Sequence, residues 1–452
     1  MQFDFNKFSK LAKLLTGLNR SHNSKDTKRG FNILKDNFQD LKILKTKSGT
    51  VSNFWVAPKQ WEVIRAKLKD SKKRTIIDWK KNGPMCLHSF SKSFKGILNW
   101  KELDQHLLYD PKRPDSYIFH FRNQYRHWNR EWGFSLPYNK IKKIQKNQKF
   151  FVDIKTTFKN DFMLNSILKC KGNSNKSICF VSHFDHAGQL SDGLGACLFN
   201  NLMIEFIKKK YKKTKYSYLA LSTVEIIGSH FFVKKYSKSL NIKEALSINT
   251  VGIKSQINYS KSFSQNSIID RIINKISIDK NLNINFSNFR DKMGADEIAF
   301  DAAGVNIPCG LLFRWPFKEY HSSKDNLSAV KKNKITELFY LVRDVVDILE
   351  EDYVPILKYK GLICLSNPDL DLYIDRVEVS SIKQNIKLDS EYQKFKKINL
   401  NNSIVNVSRI IDNKLSLFEI SEKLKIPFKL TKVICDNFYS KKIISKKKNN
   451  LI

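Results

Sequence analysis

Ser182-His183-Phe184-Asp185-His186-Ala187-Gly188-Gln189-Leu190-Ser191-Asp192-Gly193 is the stretch on which the reading of this chain turns. Before it, residues 177–182 (SICFVS) form a short apolar run that predicts a buried strand; after it, residues 193–207 predict a long apolar helix. A polar loop between a strand and a helix lies at the carboxyl end of the strand, where open α/β sheets place their ligands. Two histidines and two aspartates fall within residues 183–192. Imidazole and carboxylate together are zinc-ligand chemistry, and a short loop can bend several of them onto one ion. The plainer alternative is a polar loop in which Asp192 caps the helix. Clustering at a strand end favours the metal.

Outward from this loop the pattern alternates strand and helix. Residues 216–222 (YSYLALS), 245–251 (ALSINTV) and 310–313 read as strands, and 335–349 repeats apolar residues at helical spacing from Ile335 to Leu349. Such alternation predicts an α/β core with a mixed, largely parallel sheet. Two more polar segments leave predicted strand ends. Glu225 stands in Thr223-Val224-Glu225-Ile226-Ile227-Gly228-Ser229. There a carboxylate can bind a metal, act as a general base, or simply cap the next helix. His321 stands in the run 314–326 (RWPFKEYHSSKDN) and, taken alone, is a loop histidine.

The chain has 452 residues, room for two or three domains. A hydrophobic share of 41% excludes wholesale disorder. The net charge of +38 is mostly lysine, 67 Lys against 14 Arg. Surfaces that read nucleic acid lean on Arg, so the excess reads as background composition. There is no apolar run of 18 residues and no secretory pattern at the N-terminus, and the seven cysteines form no CxxC pair. A soluble, cytoplasmic protein with free thiols and no membrane association is the expectation.

Residues 46–149 hold six of the seven tryptophans and five prolines, which sets them apart as a mostly β module. Trp55, Trp61, Trp128 and Trp132 read as its core. Residues 353–382 read as a connector. Residues 383–452 carry a net +10 and read as helix, turn, helix and basic tail. A winged helix of this kind raises a second function class, a DNA-binding regulator with Lys429, Thr431, Lys432 and Asn437 facing base edges. A packing module is the plainer reading.

In order, His183-x-Asp185, Asp192, Glu225 before Gly228-Ser229, and Tyr320-His321-Ser322 with Asp325-Asn326 resemble the zinc aminopeptidases of the bacterial leucine aminopeptidase and glutamate carboxypeptidase type. Residues 18–21 (LNRS), 54–61 (FWVAPKQW), 130–134 (REWGF) and 294–297 (GADE) resemble motifs of one branch of that group. This branch is a bacterial aminopeptidase-like family with an inserted Trp-rich domain and a C-terminal winged helix, often encoded beside surface-polysaccharide biosynthesis enzymes. The resemblance spans nearly the whole chain. It implies a three-layer zinc-peptidase core (phosphorylase/hydrolase-like) made of residues 1–45 and 150–352, with 46–149 inserted and 383–452 appended.

The resemblance also implies a site. Asp192 takes the place of a carboxylate that bridges two zinc ions. His321 and Glu225 match the ligands of one ion, and His183 matches the histidine of the other, with Asp185 behind it. The branch keeps a histidine at the position of His186, so His183 and His186 both stand as candidates. Typical members have two adjacent glutamates where this chain has Val224-Glu225, and an aspartate where it has Asn249. One well-bound zinc is therefore expected, with two still open, and Glu225 is either the base or a ligand. Asn249, Asp296, Glu297, Arg314 and Tyr320 are the candidate substrate contacts, Arg314 through a bidentate pair with a carboxylate. The implied activity is zinc-dependent hydrolysis of a peptide or amide bond. The two departures keep a catalytically degenerate metal-binding scaffold as a third reading.

Overall fold

A computed structural model describes residues 2–129, 131–373, 395 and 398–449. The chain forms two compact units, Met1–Asp270 with Asn283–Leu341, and Arg271–Leu282 with Val342–Ile452.

The first unit is built on an eight-stranded sheet: β1 (Lys42–Lys47), β2 (Phe162–Cys170), β3 (Ser177–His183), β4 (Ser217–Thr223), β5 (Ile242–Ile248), β6 (Ile257–Ser260), β7 (Ile284–Ser287) and β8 (Cys309–Arg314). Their spatial order is β1-β2-β4-β3-β5-β8-β6-β7. The central strands β4, β3, β5 and β8 run parallel. The sheet is mixed because β1, β2 and β6 enter antiparallel to their inner neighbours.

Every residue of β3 and β4 is buried, as a parallel strand covered on both faces requires. Alternate residues of β3 choose opposite faces. Cys179 and Val181 pack in a cluster with Phe232 and Val233 of helix Ile227–Tyr236. Ser182 instead receives the Asn200 amide at 3.0 Å from helix Leu194–Lys210. Helix, sheet and helix thus form three layers.

Helix Leu194–Lys210 does not use Asp192 as its cap. Gly193 holds that position at φ +95°, with no side-chain cap, so the Asp192 carboxylate is left for other partners. A side chain at Gly193 would be strained in this left-handed region.

The inserted segment contains a four-stranded antiparallel sheet of Thr75–Asp78, Gln60–Lys69, Phe150–Lys159 and Phe94–Leu98. Residues 150–159, expected in the core, pair here instead. The chain crosses to β2 of the principal sheet through Asn160 and Asp161, so two successive strands serve two different sheets. Trp61 and Trp132 are buried in the module's core. The expectation fails for the other two tryptophans. Trp55 packs on Ala57, Met163 and Val224, and Trp128 is 53% exposed. Trp55 stands outside the module's own core because it packs toward the principal sheet, at Met163 and Val224.

In the second unit, Tyr353–Leu357 is a strand, where a connector was expected, and it pairs antiparallel with Ile444–Lys448. Helices Leu400–Ile410, Leu417–Leu424 and Phe428–Ser440 accompany it. The second helix starts at a capping box of Ser416 and Glu419, and its burial of Leu417, Phe418 and Ile420 turns an amphipathic face inward. Residues 374–394, 396, 397 and 450–452, which include parts of the expected connector and winged helix, lie outside the described residues. Among the described residues no helix is long and apolar enough to cross a membrane, and all seven cysteines are free.

Candidate metal centre

The carboxyl ends of β3 and β4 and the loops after β5 and β8 converge on one buried cluster. Asp192 is its hub. His183 Nε2 lies 3.3 Å from Asp192 Oδ1, while His186 Nδ1 and His321 Nε2 lie 3.0 and 3.1 Å from Asp192 Oδ2. On its other side His186 Nε2 is 3.1 Å from Glu225 Oε2. Two trios have donor atoms close enough to share an ion: His183, His186 and Glu225, and His186, Asp192 and His321.

The residues fit a metal. His183 Nε2 and His321 Nε2 are buried and have no hydrogen-bond partner among the described residues, although both face Asp192. Buried ring nitrogens without partners are costly unless something else binds them. Two imidazoles and a carboxylate are the donor set that suits zinc, with a position left for water or substrate.

Electrostatics follow from burial and mutual contact. Burial alone would raise the Asp192 carboxyl, but His186, His183 and His321 hold it well below the usual range. Burial would pull His186 down, and Asp192 with Glu225 overcomes it and lifts the ring to about 10. Glu225 is likewise held below its ordinary value, by His183 and His186 against burial. Backbone geometry is unusual at the same place. His186 has φ +75°, Ile226 +58°, Thr250 +44° and His321 +52°. Left-handed backbone at side chains with a Cβ is strained, and such strain gathers at functional sites.

The cluster corrects several residue roles. Asp185 does not stand behind His183. It faces His22 Nε2 at 2.9 Å and accepts the Glu225 backbone N–H at 2.9 Å. The carboxylate beside His183 Nδ1 is Asp296, at 3.6 Å. Asp296 is wholly buried and also accepts the Ile226 N–H and the Ser229 hydroxyl, so it supports the cluster from behind. Asn249 donates to Asp192 Oδ1 at 3.2 Å and accepts from Gly193 N–H at 3.0 Å, which occupies both ends of its amide. Glu297 turns to Arg290 and the Ala295 N–H. Arg314 is buried, and the two terminal nitrogens of its guanidinium donate to Ser255 O, Lys334 O and Glu337. Tyr320 borders an open cavity, where its ring stacks on His321 with centroids 3.9 Å apart.

Other residues of the site had no role in the sequence reading. Arg20 is fully buried and donates to the carbonyls of Phe184, Asp185 and Gln189, which fixes the metal loop. Asp325 accepts the N–H groups of Ser191 and Asp192 at 2.7 and 3.0 Å. Burial pushes its carboxyl up to about 7. From the inserted segment, Tyr125 donates to Glu225 and Phe119 lies 4.8 Å from the His186 ring. Phe119 N–H also donates to His321 O. Arg20 and Asp325 lie in the runs 18–21 and 325–326 that carry the family resemblance, whereas Tyr125 and Phe119 carry no sequence signal.

Comparisons with known proteins bear on the family and the fold. A family model described as "Domain of unknown function (DUF4910)" matches residues 9–352. A curated protein of Clostridium acetobutylicum, named for polysaccharide biosynthesis and an aminopeptidase-like domain, is 28% identical over 317 residues, 69% of this chain and 70% of that protein. A crystal structure of a candidate peptidase from Clostridium acetobutylicum matches with TM-score 0.81 and 23% identity, over 98% of this chain and 96% of that one. The zinc aminopeptidase BSAP of Bacillus subtilis matches with TM-score 0.53 and 12% identity, over 76% and 93%. The fold is that of the zinc aminopeptidases.

Proposed function

Since this chain belongs to the DUF4910 family and carries its His–Asp–Glu cluster on a zinc-aminopeptidase fold, we propose that it is a zinc-dependent hydrolase of aminopeptidase type, cleaving a peptide or amide bond. The observation that carries this reading is Asp192, ringed by three histidines with two unpartnered Nε2 atoms. His186, Asp192 and His321 hold the ion. Zinc, when bound, supplies a Lewis acid that polarises a scissile carbonyl and acidifies water. Glu225, steadied by the Tyr125 hydroxyl, takes a proton from water and returns it to the leaving amine. Asn249 and Val224 stand where the resembled enzymes have carboxylates, so one ion per chain is the expected stoichiometry. The name of the Clostridium relative supports placing the amide in surface-polysaccharide assembly.

Elemental analysis of the purified chain tests this directly. About one zinc per chain is expected, with most of it lost in Asp192→Ala. Metal-free protein, or unchanged zinc in that variant, overturns the reading. A second reading rests on Asn249, whose amide is locked against Asp192 and Gly193 where a ligand carboxylate is missing. It makes the chain a scaffold. Tight zinc without turnover on aminoacyl and N-acyl-sugar amides would favour it.

A further inference from the structure

A cavity of about 730 Å³ opens beside His321 and Tyr320, between the loop after β8 and the inserted segment. Its walls are aromatic, with Phe119, Phe121 and Trp315, and its lining includes Arg113, Arg122 and Lys318 but no aspartate or glutamate. Arg113 is already paired with Asp110 at 2.7 Å. Arg122 and Lys318 have no carboxylate partner among the described residues. At the inner wall His88 and His120 stack face to face, with centroids 4.0 Å apart and planes 5° apart. His88 is only 9% exposed, and its Nε2, like His120 Nδ1, is buried without a hydrogen-bond partner among the described residues.

Two free cations in a largely apolar chamber are a setting for an anion. The chamber focuses the positive field, and a guanidinium fork and an ammonium supply directed donors.

We propose that this cavity binds an anionic group of the substrate, a carboxylate or a phosphate, and that the enzyme selects amides bearing one. The proposal rests on the hydrolase reading above and names the substrate class of that site.

The test uses the zinc-loaded full chain and matched probes blocked at the α-carboxyl, so that only one of each pair is an anion: N-acetylglutamic acid α-amide against N-acetylglutamine α-amide, and N-acetylphosphoserine amide against N-acetylserine amide, by calorimetry. The anionic member of at least one pair is expected to bind about tenfold or more tighter, and which pair responds separates carboxylate from phosphate. In Arg122→Gln/Lys318→Gln the preference should collapse to about twofold or less, with the melting temperature reporting that the chain is folded. Equal binding within both pairs, or a preference retained in the double variant, overturns the proposal. Hydrolysis of glutamyl and glutaminyl anilides is then measured separately. Binding preference without hydrolysis keeps the anion pocket and refutes the hydrolase. Hydrolysis without preference does the reverse.

Discussion

At Asp192 a single carboxylate faces three imidazoles and an amide, so any substitution there is expected to break the cluster. Two other residues make sharper tests. Tyr125 donates to Glu225 from the inserted segment. In Tyr125→Phe the base loses that donor while the proposed ligands keep their places. Steady-state kinetics should show kcat reduced by about tenfold at unchanged zinc content. Glu244 is a different case, far from any proposed chemistry. It is buried, its Oε1 accepts the Ile268 N–H at 3.2 Å, and its Oε2 has no partner among the described residues. Burial, with Asp270 nearby, pushes its carboxyl from 4.5 up to about 7. A folded-state value above the unfolded one means that the unfolded chain gives up this proton first as pH rises. Stability from this group is full below pH about 4.5 and is lost as pH climbs through about 7. Glu244→Gln cannot ionise, so it should be more stable than the parent by about 1–3 kcal/mol at pH 8 and no more stable at pH 4. Denaturant unfolding at the two pH values measures this.

The elements show how local backbone choices aim these side chains. Helix Leu194–Lys210 begins at Gly193, and a Cβ there would come within 2.2 Å of His183 Cδ2 and 2.6 Å of His183 O. Gly193→Ala combines that clash with a left-handed φ, and it should cost about 2–4 kcal/mol and displace His183. A thermal melt together with zinc content checks both effects. The helix Phe428–Ser440 bears on the DNA-binding alternative. Of its four base-facing candidates, Thr431 is fully buried and Lys432 pairs with Asp436 at 2.6 Å. Those commitments leave little on this helix to read a sequence of bases.

Across the molecule, the inserted segment borders the candidate metal centre. Residues 117–119 pair with the loop 321–323, through the Ile118–Ser322 bridge and the Ser323 N–H to Tyr117 O bond. Tyr125 and Phe119 reach the cluster from the same side. The proposed ligands come together only in the folded chain, so on the hydrolase reading zinc would favour the native state over the unfolded one. Saturating zinc should therefore stabilise the chain by up to about 4 kcal/mol at a thousandfold excess over Kd, seen as a higher Tm that a chelator reverses. The net charge of +38 sits apart from this chemistry. Residues 1–175 carry +23 and residues 176–350, with every proposed ligand, carry only +8.

The strands that end at His183 and Thr223 and the helix after Gly193 were legible because continuous apolar runs bounded by polar loops have one good solution, a sheet buried on both faces. That His183, His186 and Asp192 meet was legible for a related reason, since polar residues in a short loop between buried elements stay close to one another. What the sequence by itself determined was thus the core strands and the loop that carries the candidate ligands. Contacts between distant segments were decided only in three dimensions. The pairing of Asp296 with His183, the diversion of Asp185 to His22, and the commitment of Arg314 to backbone carbonyls all depend on which side chains burial brings together. The same holds for the strand Phe150–Lys159, since a residue pattern specifies that a strand forms but not which sheet receives it. Partners far apart in sequence leave no local periodicity, and only packing selects among them.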